Sequence, residues 1–361
     1  MVAVGEQGGM LESMLQQAAD YYEARVDNTI DRLIPLLEPA MMVTLGGLLG
    51  GLMLAMYLPL FQMGSVLSRV WVMQMQMFFE SLLAYHWLGV LLLTCFAASI
   101  GSFLNVVAHR LPIMLQRQWS TEQQSSHSDE TAVMLGDPFN LATPRSHCPK
   151  CGTQLRALDN LPLLSWIWLR GRCRFCQETI SVRYPLVELC AVLLGLVVVG
   201  VYGYSIQSLF YCAFAWALLV LLLIDYDTGL LPDPITQPLL WAGLLTNAVY
   251  PLVPLQDAVL GAALGYTSLW LVFWGFKLLT GKDGMGYGDF KFLAALGAWL
   301  GWQALPQLLM IAAVLGLLYA LLGMVSGKQT LSSAIPFGPF LAIGGWLSLI
   351  FHSRLQGLVL V

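Results

Sequence analysis

The chain has 361 residues, of which 58% are hydrophobic and only 11% are charged. Soluble domains carry about 25% charged residues, so this composition excludes an ordinary soluble protein and indicates a membrane protein. The formal net charge of −4 decides little by itself, and no nucleic-acid partner is predicted.

The first 38 residues carry nine acidic or basic side chains and no apolar segment typical of a cleavable signal peptide. Their apolar side chains recur at the three- and four-residue spacing of amphipathic helices. Pro35 and Pro39 then mark the entry to the first long apolar segment.

Nine apolar segments follow, most of them close to the roughly 20 residues that a helix needs to cross the hydrocarbon core of a bilayer. They predict an all-α polytopic membrane protein. The seventh has only 16 residues and is expected to begin or end in the membrane interface. The segments are 39–61, 87–107, 186–206, 208–225, 235–253, 258–279, 290–305, 307–325 and 335–352.

Basic residues are concentrated in one long polar stretch, because nine of the 17 lie between Arg110 and Arg183. Lys and Arg are enriched in short cytoplasmic loops, so this stretch is predicted to face the cytosol from the inner membrane. Alternation of the spans then places four polar segments on the cytosolic side. They are 108–185, 226–234, 280–289 and 326–334.

Four of the seven cysteines form two CxxC pairs, Cys148-Pro-Lys-Cys151 and Cys173-Arg-Phe-Cys176, separated by 21 residues. Four thiolates suit a tetrahedral zinc ion, and such a closed site leaves no position for water, so the zinc would be structural. The gap is slightly longer than usual for this pattern. Two disulfides or a thioredoxin-like redox pair are the alternatives, although a reducing cytosol disfavours structural disulfides. The other thiols lie in apolar segments and are interpreted as small hydrophobic side chains: Cys95, Cys190 and Cys212.

Three aspartates lie at the ends of apolar segments, where acidic residues are costly and tend to be functional. Asp233 precedes Pro234, which matches a helix N-cap followed by proline at the first helical position. Asp289 closes the sequence Gly-Tyr-Gly-Asp and can also be interpreted as an N-cap. Asp225 ends its helix, where the helix dipole disfavours an anion, so capping does not explain it.

Asp225 and Asp289 are both predicted to lie at the cytosolic edge of the membrane. Two carboxylates held close together cannot both ionise readily, so one keeps a proton while the other polarises water. This is the chemistry of an aspartic protease. The spacing of the residues alone leaves helix capping as the alternative for Asp289.

Several motifs, in the same order, resemble those of one family, the type IV prepilin peptidases. The resemblance covers about residues 77–361, and motifs in order are more specific than any one alone. The motifs are Gly101-Ser-Phe-Leu-Asn105-Val with Arg110-Leu-Pro112, the segment 145–176 around the cysteines, Arg183-Tyr-Pro-Leu-Val-Glu188, Asp225-Tyr-Asp-Thr-Gly-Leu-Leu-Pro-Asp233 and Gly286-Tyr-Gly-Asp289-Phe-Lys291.

The resemblance implies an eight-span GxGD-type aspartyl protease in which Asp225 and Asp289 are catalytic. It implies that the substrates are prepilins and pseudopilins, whose leader peptides are cut after a glycine at the cytosolic face of the bacterial inner membrane. It also implies methylation of the new N-terminal residue, with S-adenosylmethionine as the methyl donor, for type IV pilus assembly or type II secretion. The sequence has no Gly-rich loop of the Rossmann type, so the position of the methyl-donor site is not predicted.

Residues 1–72 fall outside that family and resemble the C-terminal end of the inner-membrane platform protein of type IV pilus and type II secretion machines. The resembling segments are 4–11, 37–39 and 58–63. The chain is interpreted as a fusion of neighbouring genes, of natural or artificial origin, and the pilus or secretion machinery is a further expected partner. The predicted parts are a platform-like tail with one span at 1–72, a first peptidase span at 77–107, a cytosolic zinc domain at 108–185 and a seven-span protease core at 186–361.

Two other functions compete with this interpretation. A non-catalytic assembly scaffold would combine the platform-like tail with the zinc domain and would use the aspartates as helix caps. Asp225 argues against a scaffold, which has no use for a carboxylate at a helix C-terminus. An intramembrane protease of the presenilin or signal-peptide-peptidase type would share the GxGD motif, but those proteins lack a four-cysteine loop after the first span.

Overall fold

The structure is a computed structural model, which describes residues 86–125, 139–148, 150–281, 285–326 and 335–359 and a few helical residues between 16 and 26. The predicted span at 39–61 and most of the platform-like tail lie outside the described residues. By its internal contacts the chain divides into two units, Met1–Trp71 and Val72–Val361. All elements described below belong to the second unit.

The described part of this unit is helical. Strand pairing there is limited to two isolated bridges, one beside each CxxC pair. The predicted all-α fold class is therefore confirmed. The α-helices are α1 His86–Ser125, α2 Leu164–Trp168, α3 Arg183–Tyr202, α4 Ile206–Thr228, α5 Asp233–Val249, α6 Leu255–Thr280, α7 Tyr287–Leu300, α8 Leu305–Val325 and α9 Gly338–Val359.

Five helical segments in the described ranges are long and apolar enough to cross a membrane, which makes the chain a multi-pass membrane protein. Many of their large apolar side chains are exposed on the protein surface, as expected for side chains that face lipid. A shorter apolar helix, Gly338–Phe351, is also present, and the predicted number of spans stays a prediction. The five segments are Trp87–Thr121, Arg183–Tyr202, Ile206–Thr228, Leu255–Thr280 and Trp302–Val325.

Helix α1 is longer than the sequence predicted. The first peptidase span was expected to end at 107, but the helix continues without a break to Ser125. Residues 108–125 therefore form a helical extension, and the cysteine-containing segment begins only after it. Arg110 holds the start of that segment by donating hydrogen bonds to three of its backbone carbonyls, those of Asn140, Leu141 and Pro144.

Helix α7 lies in the middle of the bundle and packs against α5, α6 and α9. With the exception of Lys291, every residue from Phe290 to Leu300 is buried. The 14 residues of this helix rise only about 21 Å at 1.5 Å per residue. A helix enclosed by protein does not need the length of one that faces lipid, which accounts for the short seventh apolar segment.

Helices α6 and α7 approach closely at a Gly-x-x-x-Gly pair formed by Gly261 and Gly265. A Cβ atom added at Gly261 would lie 2.3 Å from the carbonyl oxygen of Gly297, and one added at Gly297 would lie 2.1 Å from that of Gly261. The two backbones are therefore in direct contact, as small residues allow between membrane helices. This contact fixes the position of α7, whose first turn carries Asp289.

Candidate active site

The two CxxC pairs fold into the same turn. In each pair the first cysteine donates its N–H to the carbonyl five residues further on, at 3.0 Å in the first pair and 2.8 Å in the second. The residue after each second cysteine has a left-handed backbone, with φ of 69° at Gly152 and 56° at Gln177. The segment therefore contains two copies of one turn, and each copy presents two thiols.

The four thiols of Cys148, Cys151, Cys173 and Cys176 converge, and their Sγ atoms all lie within 4.8 Å of one another. The Sγ atoms of Cys148 and Cys176 are 3.7 Å apart. That distance is far longer than a disulfide bond of about 2.05 Å, so the structure favours a metal site over two disulfides. It is close to the edge of about 3.8 Å that a tetrahedron with zinc–sulfur bonds of about 2.3 Å would have.

Local hydrogen bonds favour the deprotonated form of two of these thiols. The side chain and the backbone N–H of Thr153 lower the pKa of Cys151 to about 6. The backbone N–H groups of Cys176 and Phe175 lower the pKa of Cys173. Burial and the three neighbouring thiols instead raise the pKa of Cys176 to about 12. Because thiolates rather than thiols bind metals, a cation at the centre of the four sulfurs would be needed to hold all four deprotonated.

A buried carboxylate attaches the cysteine-containing segment to the helices. Glu188 on α3 accepts a hydrogen bond of 2.7 Å from the backbone N–H of Leu163 and another from the side chain of Ser102 on α1. Leu163 adopts a left-handed backbone, with φ of 58°. A Cβ atom at Gly101 would lie 2.7 Å from the Glu188 Cα, so α1 and α3 are in close contact at this point. The Glu188 side chain on α3 thus connects the cysteine-containing segment and α1 to this helix.

Asp225 lies in the last turn of α4, as predicted. The helix ends at Gly229, which has a left-handed backbone and donates its N–H to the Asp225 carbonyl at 2.8 Å. The Asp225 side chain is only 4% exposed, and its Oδ2 atom is buried without a hydrogen-bond partner. Buried polar atoms are nearly always paired in folded proteins, so this unpaired oxygen at a helix C-terminus requires an explanation other than stability.

Asp289 is the third residue of α7 and is also buried, with 8% exposed. Gly286 occupies the N-cap position, and its N–H donates to the Asp289 carboxylate. Asp289 is therefore not the N-cap itself, although it makes half of a capping box. The carboxylates of Asp225 and Asp289 are near enough to repel each other electrostatically. The structure brings the two predicted residues together, and their catalytic role stays a prediction.

A third helix end meets these carboxylates, and no sequence motif predicted it. Helix α9 begins at Gly338, whose backbone N–H donates to the Asp225 carboxylate. A Cβ atom at Gly338 would lie 2.5 Å from Asp225 Oδ2 and 3.0 Å from its Cγ, so any larger residue here would require the carboxylate or the start of α9 to move. The local signal was a glycine between Pro336 and Pro339 at the start of an apolar segment.

The N-cap prediction for Asp233 is wrong. Helix α5 begins at Asp233, so the N-cap position is occupied by Pro232 instead. Both carboxylate oxygens of Asp233 accept hydrogen bonds from the Lys291 Nζ atom, at 2.9 Å and 2.7 Å. The capping rule considers only neighbouring residues, and it therefore missed a partner 58 positions away. A second ion pair joins Arg183 at the start of α3 to Asp227 at the end of α4.

Three parts of the chain match known protein families. Residues 95–202 match the bacterial peptidase A24 N-terminal domain, which includes the four cysteines. Residues 212–321 match the type IV leader peptidase family, which includes both aspartates. Residues 1–59 match protein F of the type II secretion system. The two resemblances predicted from the motifs are confirmed.

Relatives named prepilin leader peptidase/N-methyltransferase match most of the chain. The protein of Aeromonas salmonicida strain A449 is 52% identical over 266 residues, which are 73% of this chain and 91% of the relative. The protein of Pseudomonas putida is 50% identical over 74% of this chain and 92% of its own length. That of Pseudomonas aeruginosa is 44% identical over 76% of this chain and 94% of its own length. No solved structure matches the chain. At this level of identity and coverage, the chain belongs to the type IV leader peptidase family.

Proposed function

We propose that the chain cleaves the leader peptides of type IV prepilins and pseudopilins and then methylates the new N-terminal residue. The observation that carries the proposal is the pair of buried aspartates, Asp225 and Asp289, held together by two helix ends in a chain of this family. The names of the relatives support both activities. The unpaired Oδ2 of Asp225 supports a role in chemistry, because such an oxygen can receive a proton or hold a water molecule.

In this proposal the two aspartates share the work of hydrolysis. The ionised carboxylate takes a proton from a water molecule, and the water oxygen attacks the carbonyl carbon of the last glycine of the leader. The protonated carboxyl donates a hydrogen bond to the carbonyl oxygen, and a proton passes to the departing amine as the C–N bond breaks. One water molecule is consumed, and the products are the leader carboxylate and a new N-terminal amine.

That amine is the acceptor for the second activity. S-adenosylmethionine would supply the methyl group as the donor substrate. The described residues show no site that is built for it, and we assign none. The support for this activity is the name shared by the relatives.

For the cysteine cluster we propose a structural zinc ion bound by Cys148, Cys151, Cys173 and Cys176. Purified protein is expected to contain about one zinc per chain, and the double substitution Cys148→Ser with Cys173→Ser is expected to lose it. Elemental analysis measures both, and Cys95→Ser is the control because that thiol lies in α1, away from the cluster. Zinc-free wild-type protein, or an unchanged zinc content in the double variant, would refute this site. Because closed zinc sites contribute folding energy, proteolysis should also cut the variant first between residues 139 and 182.

We also propose the bacterial inner membrane as the location, with the aspartates at its cytosolic edge. The concentration of basic residues in the segment that joins α1 to α3 supports this orientation. Within the chain, residues 1–72 would be a platform-like tail that can contact secretion machinery. Residues 77–107, 108–185 and 186–361 would be the first peptidase span, the zinc domain and the seven-span protease core.

A cleavage assay tests the proposed function. Membranes that contain the chain are incubated with a prepilin and with methyl-labelled S-adenosylmethionine. Leader release is measured by mass spectrometry, and label is measured on the new N-terminus. Residues 73–361 expressed alone should act as the full chain does, once yields are matched. Absence of leader release by the full chain, across several prepilins and pseudopilins, would exclude the function.

A further inference from the structure

We propose that Asp233 and Lys291 are positioning residues that hold Asp289 in place relative to Asp225. This inference rests on the proposed function, because it names these two carboxylates as the reacting pair. The Lys291 Nζ atom lies 2.9 Å and 2.7 Å from the two carboxylate oxygens of Asp233. In this proposal the two residues act through the backbone segments that carry Asp225 and Asp289.

The ion pair joins the two segments that carry the aspartates. Asp233 is the first residue of α5, and a short turn connects it to the end of α4, where Asp225 lies. Lys291 lies on the first turns of α7, two residues after Asp289. The ion pair therefore ties the segment that leaves one aspartate to the helix that begins at the other.

A second contact, made by Leu231, also holds the turn between α4 and α5 against α7. A Cβ atom at Gly288, the residue before Asp289, would lie 2.9 Å from the Leu231 Cβ. One at Gly338 would lie 3.2 Å from Leu231 Cδ2. Leu231 thus packs between the backbone next to Asp289 and the backbone that donates to Asp225. With the ion pair two residues further on, the turn is held to α7 at two points.

The solvent exposure of the ion pair indicates that it affects the rate of the reaction more than the stability of the fold. The side chains of Lys291 and Asp233 are 31% and 55% exposed, and exposed ion pairs contribute little to the stability of a fold. The reaction rate depends more strongly on the geometry of the reacting groups, because a shift of about 1 Å in one of them can lower the rate about a hundredfold. Loss of the pair should therefore lower the turnover rate more than it lowers stability.

The exposed Asp233 carboxylate also has a competing interpretation, namely direct binding of a basic leader peptide. The kinetic constants separate the two. For positioning, Asp233→Asn and Lys291→Gln should each lower kcat about tenfold with KM nearly unchanged, while the reversed pair, Asp233→Lys with Lys291→Asp, recovers much of the loss. For leader binding, only the Asp233 variants would be affected, through KM, and reversal would not recover activity.

Asp257→Asn is the matched control. Asp257 also lies in the first turn of a helix and accepts a hydrogen bond, from Trp302, but at the start of α6. Because α5 runs from Asp233 to the loop before α6, that position lies at the opposite end of the bundle. Its kcat and KM should equal those of the wild type. Unchanged kcat in Lys291→Gln, or a reversed pair as slow as the single variants, would overturn the proposal.

A measurement without catalysis distinguishes failure of this inference from failure of the proposed function. Asp225→Cys with Asp289→Cys is treated with a short thiol crosslinker, and the linked peptides are counted by mass spectrometry. Adding Lys291→Gln should lower the yield severalfold, and adding the reversed pair should restore it. An equal yield in all backgrounds would overturn the positioning role, whether or not the wild type cleaves prepilin.

Discussion

Asparagine at either Asp225 or Asp289 is expected to reduce leader cleavage at least about a thousandfold, within the range that positioned acid–base groups contribute. An amide can neither accept the proton of the attacking water nor donate one to the substrate carbonyl. Both side chains are buried, and each is held by a backbone N–H, from Gly338 and from Gly286. Asparagine has nearly the same shape, so the loss should be chemical rather than structural.

The measurement is the rate of prepilin cleavage in membranes that contain equal amounts of each variant. Zinc content and accumulation in the membrane serve as controls for folding, and both should match the wild type. If one of the two variants cleaves at close to the wild-type rate, the catalytic pair has been assigned incorrectly. Similar losses in both variants, with folding intact, would support a shared mechanism.

Alanine at Gly338 is expected to lower cleavage about a hundredfold, although no chemical group is removed. The added Cβ atom would lie 2.5 Å from Asp225 Oδ2, well inside van der Waals contact. Either the carboxylate turns away or the start of α9 moves, and both responses disturb the arrangement of the two aspartates.

Gly275→Ala is the control for this substitution. Gly275 also lies in a helix of the bundle, and a Cβ atom there meets nothing within 4 Å. Cleavage by this variant should equal that of the wild type. Wild-type activity in Gly338→Ala would show that the start of α9 can move without cost and is not part of the active site.

The sequence predicts the features that depend on neighbouring residues. Hydropathy predicts the apolar segments, and CxxC spacing predicts that the four thiols converge, because both depend on nearby residues. Asp225 was identified because its position at a helix C-terminus conflicts with the helix dipole. For the apolar segments and Asp225 the physical cause lies within one element, and for the thiols it lies in one repeated turn.

The features that the sequence did not predict depend on contacts between distant segments. Gly338 contacts Asp225 across 113 positions, and no rule of local spacing describes that pair. Asp233 satisfied the N-cap pattern, but Lys291 binds its carboxylate in the folded chain. The extension of α1 was missed because the polar composition of 108–125 suits a loop as well as a solvated helix.

The hydrogen bond from Leu163 to Glu188 couples two equilibria that are usually treated separately. Glu188 is only 7% exposed while the cysteine-containing segment is folded, and unfolding of the segment removes this donor. The lost hydrogen bond to a charged group costs free energy, so α1 and α3 would be less stable without the folded segment. A ligand that binds only the folded segment therefore stabilises those helices by mass action. If the proposed zinc ion is that ligand, its binding would stabilise α1 and α3, although the four cysteines lie outside both helices.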